Sequence, residues 1–208
     1  AVIVEPMLGS AGMIPAEPGY LEMLRSFTEA HGVVLIFDEV VTGFRTSKGG
    51  AQSYYGVTPD LCTLAKILGG GLPGGAVTGK AEIIDMIQLR DDSSFNANTR
   101  VGHNGTFNAN PLSAAAGAKA LELLSTQSIN DRATAAANRL KAGLNDVLSK
   151  LEIPGCAAGV GSAIFLLRPM ITFALLPLTA LIFKLHWLGA ALLQDIRCEP
   201  RFNILYLQ

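Results

Sequence analysis

Short apolar runs alternate along this chain with segments of helical periodicity, and each run stops at a residue of chemical use. Val33-Val-Leu-Ile-Phe37 ends at Asp38-Glu39, Leu61-Cys-Thr-Leu64 runs into Ala65-Lys66, and Ala1-Val-Ile-Val4 closes on Glu5-Pro6. Runs this short, unbroken by charge, predict strands buried on both faces of a parallel sheet, with helices as the crossovers such a sheet requires. Between the runs Ala1–Val4 and Val33–Phe37, Gly19 to His31 spaces Leu21, Leu24 and Phe27 along one helical face, and Gly32 supplies a stop. Ala76-Val-Thr78 reads as a fourth short strand and Ala81 to Ile87 as a helix. Asn110-Pro111 pairs an N-cap with proline at the first helical position, opening a helix through Leu124. Asp131 to Leu151 predicts a longer amphipathic helix with Leu140, Leu144 and Val147 inward. The class is therefore α/β.

Composition excludes several alternatives. Of 208 residues half are hydrophobic and 16% charged, so the chain can bury a core and is not of the disordered class. A formal charge of -1 with scattered basic residues leaves no footprint for nucleic acid or an anionic membrane surface. Three widely spaced cysteines, Cys62, Cys156 and Cys198, form neither a disulfide framework nor a metal-spaced cluster, which suits a reducing, cytoplasmic compartment. Pro169 to Phe183 is uncharged and apolar, but it contains Pro177 and falls short of the about 20 residues of a membrane helix. A membrane span is disfavoured there, and a divergent apolar tail is expected.

In open α/β sheets, ligands collect beyond the carboxyl ends of the strands. Glu5, Asp38 and Lys66 stand at such ends. A lysine is ordinarily a solvated surface charge, whereas one set among apolar neighbours becomes a nucleophile able to form a Schiff base. Lys66 follows an apolar strand and precedes Ile67-Leu68. A carboxylate after five apolar residues, as Asp38 is, needs a donor or a cation: a cap, an ion pair, or the protonated nitrogen of a bound ring. Glu39 and Thr42 read as structural. Gly69-Gly-Gly-Leu-Pro-Gly74 matches a dinucleotide fingerprint formally, but Ala76-Val-Thr78 follows where a helix should open, so the glycines read as a tight turn beside Lys66. Gly105-Thr106, just before the Asn110-Pro111 helix start, offers a hydroxyl and backbone donors suited to phosphate or to ordinary capping.

Three segments together resemble a known family. Phe37-Asp-Glu-Val-Val-Thr-Gly-Phe-Arg45, Pro59-Asp-Leu-Cys-Thr-Leu-Ala-Lys-Ile-Leu-Gly-Gly-Gly-Leu-Pro73 and Gly105-Thr-Phe-Asn-Ala-Asn-Pro111 are similar to the class III pyridoxal-phosphate aminotransferases, nearest the glutamate-1-semialdehyde aminomutase branch. Val4-Glu-Pro6 and Gly49-Gly-Ala-Gln52 fit as well, and the likeness covers about residues 1 to 165.

The resemblance implies a fold-type I, aspartate-aminotransferase-like large domain, present in part, with a mostly parallel sheet flanked by helices. On that basis residues 1–125 are the C-terminal part of the cofactor-binding domain, 126–167 the start of a small C-terminal domain and 168–208 the divergent tail. It further implies that Lys66 carries pyridoxal 5'-phosphate as a Schiff base and shuttles protons, and that Asp38 pairs with the ring nitrogen. Val40 would pack on the ring, and Gly105 and Thr106 would meet the phosphate of a neighbouring subunit in a homodimer. Ser10 falls where relatives vary and would touch either substrate or the cofactor's ring oxygen, and Gln52 lies in a segment that approaches the site. The substrates would be an amino acid or amine and an oxo acid, in a transaminase or aminomutase reaction. The family's upstream phosphate loop and ring-stacking aromatic are not in this chain. The alternative is accordingly a truncated, non-catalytic remnant acting through interactions or membrane association.

Overall fold

The computed structural model describes residues 1–167. Residues 168–208, including the apolar stretch and Cys198, lie outside the described residues.

A four-stranded sheet takes the order β1-β4-β5-β6, built from β1 (Val2–Val4), β4 (Leu35–Asp38), β5 (Leu61–Ala65) and β6 (Gly75–Gly79). The first three run parallel, with Val4 opposite Phe37 and Asp38 opposite Thr63, and β6 returns antiparallel. The α/β class is as expected. Between β1 and β4 come a two-stranded hairpin, β2 (Met7–Leu8) with β3 (Ile14–Pro15), and helix α1 (Tyr20–Ala30). Helix α2 (Gly50–Tyr55) crosses from β4 to β5. After β6 come α3 (Ala81–Ile84), α4 (Ser93–Asn98), α5 (Pro111–Thr126), α6 (Ile129–Lys150) and a hairpin of β7 (Cys156–Ala158) with β8 (Phe165–Leu167).

Side chains alternate across a strand, so the register assigns each residue to a face. Val2, Val4, Leu35 and Phe37 face the core, where Leu35 and Phe37 are fully buried with Leu21 and Val57, and Leu24 and Tyr55 pack around them. Each such burial contributes about 1.5–3 kcal/mol. The opposite face carries Ile3, Ile36, Asp38, Thr63 and Val77, and it is open: Ile3 is 62% and Val77 56% exposed. The expectation that every strand is covered on both faces therefore fails at β1.

Two helix faces also differ from their expected stripes. In α1 the buried residues are Leu21 and Thr28, while Phe27 is exposed and stacks on His31 at 4.2 Å between ring centroids. In α6 the inward positions are Asn130, Ala137 and, partly, Leu144, while Leu140 and Val147 face solvent. Polar contacts decide that rotation. Asn145 Nδ2 donates to Ala157 O (3.1 Å), Asn145 Oδ1 accepts from Ala157 N (2.7 Å), and Asn130 Nδ2 donates to Phe44 O (2.6 Å). Unpaired amides of β7 would cost more than exposing two apolar side chains.

Candidate active site

Asp38 is the last residue of β4 and half-buried, and its Oδ1 accepts from Thr63 Oγ1 (3.1 Å) and from Val40 N (3.0 Å). Thr63 stands opposite Asp38 on the adjacent parallel strand, so one face of the sheet supplies both groups. Among the described residues Asp38 Oδ2 has no hydrogen-bond partner, and no cation pairs with the carboxyl group.

Lys66 comes three residues beyond Thr63, at the carboxyl end of β5. The chain leaves the strand at Ala65 and enters a single 3₁₀ turn, Lys66–Gly69, with Lys66 itself at φ 52°. A left-handed backbone at a non-glycine residue is strained by about 1–3 kcal/mol and is held by surrounding structure. Here α5 holds it. Gly117 lets α5 approach so closely that a Cβ there would lie 2.6 Å from Leu68 O, and Gly70, at φ 61°, abuts the Ala116 carbonyl. The glycines thus form a tight turn beside Lys66, and β6, not a helix, follows them. Lys66 is exposed, because the turn carries it out of the strand. The apolar surroundings expected from Leu64, Ile67 and Leu68 do not enclose the amine.

Val40 follows in the turn after β4, half-buried. Gly9 packs against the Val41 side chain, which brings the β2–β3 turn and the exposed Ser10 to this edge of the sheet. Gly105 and Thr106 sit in an exposed loop at 101–109. That loop leads into α5, whose first turn is capped by Asn110 Oδ1 accepting from Leu112 N and Ser113 N, both at 3.1 Å. The same helix thus ties the Thr106 loop to the Lys66 turn. Glu5, the third strand-end candidate, is spent on a turn: its Oε2 accepts from Gly9 N at 2.9 Å.

Glu39 and Thr42 are structural, as expected, but more tightly so than the sequence suggested. Glu39 is fully buried and its carboxylate accepts from Ala51 N, Gln52 N, Gln52 Nε2 and Thr42 Oγ1. Gln52 therefore turns to Glu39. Beneath it, the Cys62 thiol is pushed up to about 12, by burial first and then by the charge of Glu39, so it holds no reactive thiolate. Thr63 was not singled out in the sequence; period-two alternation could have placed it on the face of Asp38 only with the strand register known. Two open clefts of about 420 and 460 Å³ lie around Phe44–Lys48, α5 and α6, and neither is lined by Asp38 or Lys66.

A strand-end carboxylate with one oxygen engaged and one open suits a ring N–H donor, and a lysine on the neighbouring strand end suits a carbonyl carbon. The residues present thus fit a pyridine aldehyde.

The chain is similar to known proteins throughout the described part. A glutamate-1-semialdehyde 2,1-aminomutase of Methanococcoides burtonii is 46% identical over 162 residues, covering 78% of this chain and 36% of that protein. A second, from Brevibacillus brevis, is 46% identical over 166 residues, covering 80% and 37%. Among solved structures, an omega-transaminase from Sphaerobacter thermophilus superposes with a TM-score of 0.71 at 42% identity, over 81% of this chain and 37% of that one. A transaminase with PLP bound gives 0.68 at 29% identity, over 77% and 36%. The chain thus spans little more than a third of the length of these relatives. The family model described as aminotransferase class III matches residues 1–165. With that match across four-fifths of its length, this chain belongs to the class III aminotransferase family.

Proposed function

We propose that the chain carries the lysine-bearing part of a pyridoxal-phosphate-dependent enzyme that moves an amino group, as a transaminase or an aminomutase. The observation that carries this is the pair Asp38 and Lys66 at the carboxyl ends of adjacent parallel strands, with Asp38 Oδ2 open to a donor. When bound, pyridoxal phosphate supplies an electron-withdrawing ring that lets a proton leave the carbon bearing the amino group.

The roles of the chain's own residues follow from their chemistry. Asp38 Oδ2 would accept from the ring N–H, while Thr63 and Val40 N hold Oδ1 in place. Val40 would pack on one face of the ring. Lys66 Nζ would hold the cofactor at its aldehyde carbon, and as a free amine it would take and return the substrate proton as a general base. Gly105 and Thr106 bind phosphate across a homodimer interface, which makes the site complete only in the dimer. Ser10 touches substrate. Residues 1–125 are read as part of the cofactor domain and 126–167 as the start of a small domain. The substrates are read as an amino acid or amine with an oxo acid. Among the described residues no helix is long and apolar enough to cross a membrane, and a cytoplasmic location is the reading that suits the free thiol of Cys62.

Purified protein titrated with pyridoxal phosphate should develop an absorbance band at the edge of the visible range that is lost in Lys66→Ala. Absence of the band at saturating cofactor would overturn the proposal. Mass analysis after an amine-donor screen separates the two chemistries, since an aminomutase leaves product mass unchanged and a transaminase does not.

A further inference from the structure

We infer that Glu39 is a positioning residue for the cofactor's ring nitrogen, acting through Asp38; the inference rests on the function proposed above. The link is one peptide group. The peptide joining Glu39 to Val40 carries the N–H that donates to Asp38 Oδ1 at 3.0 Å, and its carbonyl accepts from Gly43 N at 2.8 Å. Whatever sets the rotation of that peptide sets the direction of the Asp38 carboxylate.

Glu39 sets it from both sides. Its main-chain N–H donates to Thr63 O at 3.0 Å, fastening the turn to β5. Its side chain is fully buried and both oxygens are used: Oε1 accepts from Gln52 N (3.1 Å) and Gln52 Nε2 (3.3 Å), and Oε2 from Ala51 N and from Thr42 Oγ1 (3.1 Å). The first turn of α2 thereby grips the turn that follows β4. The cradle is shaped to the carboxylate. Gly50 abuts Oε2 so closely that no Cβ fits, and a Cβ on Gly43 would lie 2.7 Å from Glu39 O. Among the described residues no cation neutralises Glu39. An apolar side chain could fill the same volume at no desolvation cost, but it could not fix the direction of the peptide.

The test compares pyridoxal phosphate with an analogue in which carbon replaces the ring nitrogen, using the native protein and its Glu39→Gln variant. Glu39→Gln should weaken pyridoxal phosphate about tenfold and the analogue by less than about twofold, because only the former uses the charge-assisted bond to Asp38. Amide exchange at Val40 in the unloaded protein should accelerate in the variant, with Thr42→Val and Gln52→Met in between. Equal weakening of both compounds, or unchanged exchange at Val40, would overturn the inference. Should Glu39→Gln fail to fold by circular dichroism, Thr42→Val and Gln52→Met carry the same two measurements. If the native protein binds neither compound, it is the proposed function that fails, and Val40 exchange decides on Glu39 by itself.

Discussion

Thr63 and Cys62 are neighbours on β5 with opposite fates, because consecutive strand residues point to opposite faces. Thr63 reaches the open face and Asp38, whereas Cys62 is 2% exposed on the core face. Thr63→Val should weaken pyridoxal phosphate by about three- to tenfold, the worth of one ordinary hydrogen bond, while leaving thermal stability nearly unchanged. A fluorescence titration with a parallel melt measures both. For Cys62, a thiol pushed up to about 12 is protonated at any ordinary working pH. Peptide mapping after iodoacetamide at about pH 8 should find Cys62 unmodified in the native protein and alkylated after denaturation. Labelling of the native protein would contradict the burial described. Lys66 shows where reading residues singly stops: its neighbours in sequence are apolar, yet the turn at φ 52° puts it outside them.

At the scale of elements, α5 connects the two halves of the proposed site. Its contact with the Lys66 turn depends on Gly117, where a side chain would collide with the Leu68 carbonyl, and backbone cannot yield as a flexible side-chain tip can. Gly117→Val should lower stability by about 2–3 kcal/mol and displace the Lys66 turn. Urea unfolding would measure the first effect and loss of the cofactor absorbance band the second. The Asn110 cap was legible in the sequence, since an asparagine before a proline marks a helix start by local chemistry alone. Asn110→Ala should cost about 1 kcal/mol. The inward face of α6 was not legible. Leu140 and Val147 share a helical stripe with Leu144, but Asn145 and Asn130, bonded to Ala157 and Phe44 far along the chain, set the rotation.

Across the whole molecule, one carboxylate gathers three elements. Asp60 is 4% exposed; its Oδ2 accepts from Leu35 N of β4 (2.7 Å) and meets Arg25 Nη1 of α1 (3.0 Å), and its Oδ1 meets Lys80 Nζ beyond β6 (2.9 Å). Burial by itself would raise the Asp60 pKa, but the Leu35 amide, Lys80 and Arg25 outweigh it and hold the group below its ordinary 3.8. A group whose folded pKa is depressed binds its proton more weakly when folded. The stabilisation is therefore complete above the unfolded value and drains away as pH falls through the lowered one. Asp60→Asn should cost about 3 kcal/mol near neutrality. It should also flatten the decline of the urea midpoint between about pH 5 and 2 that the native protein shows. An equally steep decline in the variant would assign acid sensitivity elsewhere.

The sequence by itself determined the α/β class, the chemistry-bearing strand ends, the cap of α5 and the glycine turn. Each depends on residues within a few positions of one another, and periodicity, propensity and local hydrogen bonds act at that range. Only the tertiary structure decided which strands are neighbours, that Thr63 and not a cation steadies Asp38, that Glu39 closes on α2, and that Lys66 emerges into solvent. Those outcomes depend on register between strands and on backbone groups brought together from distant positions. No stretch of sequence carries that information until the sheet has formed.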